Sequence, residues 1–210
     1  MLRGRLWLTL FAAATAVELI AVALDLIALQ WLAKPLLAPL LAIYLLRRAR
    51  PDLVVAALGF ATAGDIALLI DGEAPFVVGM LFFVGTQTCL SLAFLRRTRP
   101  RTWAFVGYGV LWAVANALLW ERLGPLGLPV LIYSAALSTM AAAAVGVSRR
   151  TAAGGALFLV SDFLIGLGAA DVELPGHDLL VMATYTAALF LIVTGWAAWS
   201  AREGSRRGHR

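Results

Sequence analysis

Short polar connectors divide the chain into eight runs of nearly unbroken apolar residues, and this pattern constrains the fold more than any other feature. In hydrocarbon every backbone N–H and C=O must be paired within its own segment, so a long apolar run crosses a bilayer as a helix. About 20 residues suffice, or about 17 at the short end. On that rule the spanning segments lie at roughly 6–24, 33–46, 53–70, 75–95, 102–120, 126–147, 152–169 and 179–200. The second is the shortest, and its helix can start as early as Leu26. The connectors are brief and carry the polar and turn residues: "RRARPD", "DGEAP", "RRTRPR", "ERLGP", "SRRT" and "DVELPGHD". None has room for a soluble domain. The expected fold is therefore all-α, one polytopic membrane domain over residues 1–210 with eight transmembrane helices and a basic tail at 201–210.

Composition agrees. The chain is 62% hydrophobic and 14% charged, against about 45–50% and about 25% for soluble domains. The start, "MLRGRLWLTLFAAATAV", resembles a signal peptide, but Glu18 and further apolar residues follow it, which points to a retained first helix. A single cysteine, Cys89, excludes an internal disulfide and any multi-cysteine metal site. The two histidines, His177 and His209, lie near segment ends, so no metal is expected.

Charge then sets the orientation. With the N-terminus inside, the cytoplasmic stretches hold Arg3, Arg5, Arg47, Arg48, Arg50, Arg96, Arg97, Arg99, Arg101, Arg149, Arg150, Arg202, Arg206, Arg207 and Arg210. Only Lys34 and Arg122 fall on the other side, where Asp71, Glu73, Glu121, Asp171, Glu173 and Asp178 collect. This is the positive-inside bias of a chain with both termini cytoplasmic, and a missed helix would scramble it. The same clustering accounts for the net charge of +5 without nucleic acid as a partner. The partners expected are the bilayer and a lipid; for a bacterial chain the membrane would be the inner one.

A faint internal repeat is also present. "GDIALLIDGEAPF" on the third segment echoes "SDFLIGLGAADVELPG" on the seventh, each with an aspartate, an apolar run and then Asp-x-Glu-x-Pro. Two four-helix halves related by an axis along the membrane normal would give this pattern; so would chance similarity between two apolar stretches with acidic outer loops.

The functional question is posed by the polar residues inside the spans. At 1.5 Å per residue, Asp65 lies about twelve residues into its helix, past the midplane, and Asp162 about ten into the seventh. Glu18, Asn116, Tyr133 and Tyr185 count to similar depths, Gln87 lies near the midplane, and Lys34 opens the second helix from the outer side. Several of these have plain structural readings. Asn116, Gln87 and Ser161 can tie neighbouring helices together, the tyrosines can belong to an aromatic belt, and Glu18 can pair with a snorkelling Lys34. Asp65 and Asp162 have no arginine within two turns on their own helices, and an ionisable group at this depth marks a functional site. Two carboxyl groups in one low-dielectric pocket do not both ionise easily, so one can act as acid while the other stabilises a cation or orients water. That division suits a hydrolysis through an oxocarbenium-like state, and equally a proton relay in a transporter.

At these residues the chain resembles the YhhN family of membrane proteins. The resemblance is carried by "KPLLAPLL", "AGDIALL", "FVVGMLFF", "PVLIYSAALSTM", "GGALFLVSDFLI" and "MATY", in that order from Lys34 onward. The chain departs from the family pattern at Gln87 and Leu90, where a His and a Tyr are usual, and at Leu189, where a Gln is usual. The family is eight-helix and includes lysoplasmalogenases, which hydrolyse the vinyl-ether bond of lysoplasmalogens to a fatty aldehyde and a glycerophospho-alcohol. The resemblance implies Asp65 and Asp162 as catalytic acids, without a cofactor. Lys34, Glu18, Asn116, Tyr133, Ser161 and Tyr185 are the residues expected to line the substrate site. A proton-coupled transporter, or a non-enzymatic lipid-binding protein, is the competing expectation.

Overall fold

The structure, a computed structural model, describes residues 2–48, 52–172 and 174–208. Arg50, Arg210 and Glu173, on which part of the orientation argument rests, lie outside the described residues, as do the side chains of Arg3, Arg206 and Arg207. His209 is outside them too.

The described residues are all helical, in the order α1 (Leu2–Ala23), α2 (Ile27–Leu46), α3 (Leu53–Ala67), α4 (Glu73–Leu95), α5 (Thr102–Leu123), a 3-10 turn (Gly124–Leu126), α6 (Gly127–Ala144), α7 (Arg149–Ala169) and α8 (His177–Gly208). Among them six stretches are long and apolar enough to cross a membrane, and the chain is a multi-pass membrane protein. One of the six, Thr102–Ala144, holds two helices, because Gly124 turns the chain back with a left-handed φ of 48°. A residue with a Cβ would be strained there. The remaining helix, α3, is short at 15 residues.

Helix ends do not coincide with the ends of the apolar runs. α2 begins at Ile27 and passes through both Pro35 and Pro39; prolines are tolerated in membrane helices because neighbours and local adjustments satisfy the freed carbonyls. α8 continues past Ser200 to Gly208, so much of the basic tail is helix. Backbone hydrogen bonds, rather than hydropathy, set these limits. Where polar side chains do cap, they do so at the starts of α3 and α7. Asp52 accepts from the backbone N–H groups of Val54 and Val55, and Ser148 from that of Thr151. Each satisfies donors that the first helical turn leaves free.

Consecutive helices pack in two series, α1 on α2 on α3 on α4, and α5 on α6 on α7 on α8. The series are joined by α4 against α6 and by α2 and α1 against α8. Small residues allow close approach, as is usual between membrane helices. A Cβ on Gly154 of α7 would lie 2.8 Å from the backbone nitrogen of Ile192 on α8. One on Gly64 would lie 2.8 Å from the Phe83 ring, so the residue before Asp65 is small because α4 presses against it.

Contacts at one end of the bundle show which helix ends meet. The Trp196 indole, late in α8, donates to Asp52 at 2.8 Å, and the Arg97 guanidinium at the end of α4 lies 5.8 Å from the same ring. The start of α7 meets α8 nearby, where Gly195 abuts Thr151 and Arg150. At the opposite end Gly168, late in α7, abuts His177 at the start of α8. The arginine clusters of the α4–α5 and α6–α7 connections therefore share an end with Asp52. Asp65 and Asp162 lie toward the other.

Candidate functional site

Asp65 occupies the last turn of α3 and is 1% exposed. It is held by a single tyrosine: the Tyr185 hydroxyl on α8 donates to its carboxylate at 2.7 Å. Tyr185 in turn is fixed by edge-to-face contacts with Phe83 of α4, at 6.0 Å, and Phe158 of α7, at 5.6 Å. The two phenylalanines also meet edge to face at 6.2 Å. Three helices thus contribute one aromatic knot, and its polar tip addresses Asp65. Such contacts favour one ring arrangement over others by about 0.5–1.5 kcal/mol each.

Asp162 repeats the motif with other helices. The Tyr133 hydroxyl of α6 donates to the Asp162 carboxylate of α7. The two aspartates lie within electrostatic reach of each other, and Tyr185 within reach of both Asp162 and Tyr133. The site therefore contains two tyrosine–aspartate pairs drawn from α3, α6, α7 and α8.

The pairs differ in access. Asp162 and Tyr133 border a cleft of about 340 Å³ between α5, α6 and α7, walled by apolar residues such as Leu111, Leu118, Leu159 and Phe163. They also border a smaller cavity of about 40 Å³ on the side of Leu68, Phe76 and Phe83. Asp65 lines neither. The larger cleft exists because α5 packs on α6 and buries only Ala104, Asn116 and Leu123, leaving the gap toward α7 unfilled.

Glu18 and Lys34 form a flank of the site on the Asp65 side. Glu18 is 0% exposed on α1 and within electrostatic reach of Lys34, and both are within reach of Asp65. Neither carboxylate oxygen of Glu18 makes a hydrogen bond, nor does the buried hydroxyl of Thr15 one turn earlier. Lys34 itself is half-buried on α2.

The other two expected site residues have local partners. The Asn116 amide donates to the Trp112 carbonyl at 2.9 Å and to the Ser134 hydroxyl at 3.1 Å; Trp112 donates to the same hydroxyl at 3.1 Å. This small polar cluster lies in the wall of the larger cleft. Ser161 turns away, donating to the Val181 carbonyl of α8 at 3.0 Å. Successive residues on a helix point about 100° apart, so adjacency to Asp162 in sequence does not bring Ser161 to the cleft. Ser134 and Trp112 were not expected there; their signal was the spacing of Trp112 and Asn116, one turn apart on a single face. Among the described residues no three His, Cys, Asp or Glu side chains converge as metal ligands.

The order of these residues along the chain agrees with a known family. The YhhN family model matches residues 29–196, which include Lys34, Asp65, Tyr133, Asp162, Tyr185 and the whole aromatic knot. The chain belongs to the YhhN family. No solved structure matches the fold. Within this YhhN protein the match begins in α2 and ends in α8, so Glu18 alone among the site residues lies outside it.

Proposed function

We propose that this YhhN protein is a membrane-embedded lipid hydrolase of the lysoplasmalogenase kind, cleaving the vinyl-ether bond of a single-chain phospholipid. The observation that carries this reading is the pairing of two tyrosine-bonded carboxyl groups, one of which, Asp162, borders an apolar cleft. The chemistry follows from elementary steps. One carboxyl group transfers its proton to the β-carbon of the vinyl ether, which leaves an oxocarbenium ion. The neighbouring carboxylate stabilises that cation and accepts a proton from the water that adds to it. The resulting hemiacetal collapses to aldehyde and alcohol: the second carboxyl group gives its proton to the departing ether oxygen and the hemiacetal hydroxyl gives one to the first, so both regain their starting states while the first proton stays on the β-carbon. No group outside the chain need supply or remove one.

The surroundings fit such a substrate. The cleft between α5 and α7 suits an alkyl chain whose oxygenated end meets Asp162 and Tyr133. Lys34 offers a point charge to the phosphate. All eight helices would cross the membrane, α3 as a short span, with the arginine-bearing end and both termini cytoplasmic. The packing supports the two-repeat reading: advancing every helix label by four maps the first series on the second, and α4 against α6 onto α8 against α2.

The test uses the full chain in lipid nanodiscs, incubated with a 1-alkenyl lysophospholipid and, separately, with its 1-alkyl and 1-acyl counterparts. Fatty aldehyde released from the alkenyl lipid alone is the expected result. No aldehyde at any pH, together with proton uptake into liposomes carrying the protein, would replace the hydrolase with a proton-coupled transporter.

A further inference from the structure

The cleft that reaches Asp162 is apolar over most of its wall, but one strip of it, where α5 meets α6, is polar. Trp112, Asn116, Ser134 and Ser138 all border the cleft there. Asn116 is 7% exposed and its amide is locked. The Trp112 backbone carbonyl can only accept, so the amide nitrogen must face it, at 2.9 Å, and the nitrogen's other hydrogen goes to the Ser134 hydroxyl oxygen at 3.1 Å. The amide cannot turn over without setting its oxygen against that carbonyl. Its oxygen is left with one long contact, 3.5 Å, from the Ser134 hydroxyl. That hydroxyl has a single proton and a nearer acceptor in the Leu131 carbonyl, at 3.2 Å. A strong acceptor in a fixed orientation therefore lacks a donor. Ser138, one turn on from Ser134, is buried to the same degree, and its hydroxyl makes no hydrogen bond among the described residues.

Polar groups short of partners in an apolar wall are costly, and apolar side chains would avoid the cost. An alkyl chain gains nothing from them. A ligand that brings its own hydroxyl does. A single-chain phospholipid carries a free hydroxyl on the glycerol carbon next to the one that bears the vinyl ether. With the ether at Asp162 and Tyr133, that hydroxyl is only a few bonds away, in the cleft that Asn116 also borders.

We propose that Asn116 is a specificity-determining residue of this site, its amide oxygen accepting a hydrogen bond from the free glycerol hydroxyl of the lipid. Trp112 and Ser134 are positioning residues that hold the amide with its oxygen toward the ligand. The identity of the ligand rests on the hydrolase reading; what is added is how the site tells a lipid with that hydroxyl from one in which it is capped. A capped lipid brings no donor and buries the amide oxygen unpaired, which costs more than the bond itself contributes. The contact forms on binding and persists through the reaction, so it acts on affinity rather than on turnover.

The test compares two unreactive probes on the full chain in lipid nanodiscs: a 1-alkyl lysophospholipid with its 2-hydroxyl free, and the 2-O-methyl ether of the same lipid. Neither has a vinyl ether, so dissociation constants are read without turnover. The parent should bind the hydroxyl lipid about 10–100-fold more tightly. Asn116→Leu keeps the volume and removes the acceptor, and should bring the two lipids to about equal affinity by weakening the hydroxyl lipid. Should that variant not fold, Asn116→Ser takes its place, because a serine there bonds back to the Trp112 carbonyl and offers the ligand no amide oxygen. Equal affinities in the parent, or a preference that survives the loss of Asn116, would overturn the proposal; a preference lost in Ser138→Ala instead would move the contact one turn along α6. Aldehyde release from the alkenyl lipid tests the hydrolase reading separately. A parent that releases none but keeps the preference binds a hydroxyl-bearing lipid at Asn116 without cleaving it.

Discussion

The Tyr185 hydroxyl and the Asp65 carboxylate meet at 2.7 Å although 120 residues separate them in sequence. The bond joins α8 to the last turn of α3, within electrostatic reach of the second tyrosine–aspartate pair, Tyr133 with Asp162, which joins α6 to α7. Tyr185→Phe keeps the ring that Phe83 and Phe158 hold and removes only the donor. Hydrogen bonds to charged groups are worth about 1.5–3 kcal/mol, so the variant should lose up to roughly that much stability if Asp65 is ionised. The measurement is denaturant unfolding in mixed micelles. An unchanged midpoint would mean that the bond contributes nothing to the fold.

A second prediction concerns the opposite end of the bundle. Asp52 serves three donors, the backbone N–H groups of Val54 and Val55 and the Trp196 indole. Removing an N-cap costs about 1 kcal/mol, and stranding a buried indole N–H costs about 1–3 more, so Asp52→Ala should destabilise by roughly 2–4 kcal/mol. Val54 and Val55 use one carboxylate oxygen and the indole the other, and Asp52→Asn keeps a single acceptor, so it should retain the cap but lose the indole bond and fall between the parent and Asp52→Ala. Equal losses from both variants would mean that the cap contributes nothing and the indole bond everything.

These two contacts also mark how far the sequence can be read. The apolar runs disclosed an all-helical membrane chain because hydrocarbon leaves few other solutions for the backbone. The aspartates stood out because a carboxyl group in such a run is expensive. What the runs do not encode is which helices are neighbours. Tyr133 and Tyr185 were visible as polar residues at the right depth, but their attachment to Asp162 and Asp65 depends on α6 packing on α7 and on α8 reaching back to α3. Gln87 lay at the right depth too, with a plain reading as a tie between helices. Ser161 shows the converse, since its place beside Asp162 in sequence gives it a different face of the helix.

The cleft makes a third prediction. Gly166 of α7 lines it, and a Cβ built there meets nothing within 4 Å. Gly166→Trp should therefore fold normally while filling the space assigned to the alkyl chain. Each buried methylene is worth about 0.8 kcal/mol, so excluding even two of them should raise KM roughly tenfold. Gly107 on α5 is equally free of neighbours but exposed and away from the cleft, and Gly107→Trp serves as the control. If both variants kept the parent's KM, the chain would have to bind elsewhere.

The fourth prediction tests the carboxyl pair as a unit. Asp65→Asn and Asp162→Asn preserve size and hydrogen-bonding capacity but remove the titrating group. General acid–base contributions are typically 10²–10⁴-fold, and each single variant should lose turnover by about that factor while remaining folded. Groups that act together give strongly non-additive losses, so the double variant should be little worse than the worse single one. The two aspartates are within electrostatic reach, and their protons come off in steps that belong to the pair. Turnover requires the singly protonated form, so the parent's pH profile should be bell-shaped: activity falls toward acid as the second carboxyl gains a proton, and toward base as the first loses its own. Each Asn variant should lower the activity and leave a single limb, set by the carboxyl group that remains. A folded Asp65→Asn protein with near-normal aldehyde release would show that Asp65 supports the aromatic knot without taking part in proton transfer, and would leave Asp162 as the only reacting carboxyl group of the pair.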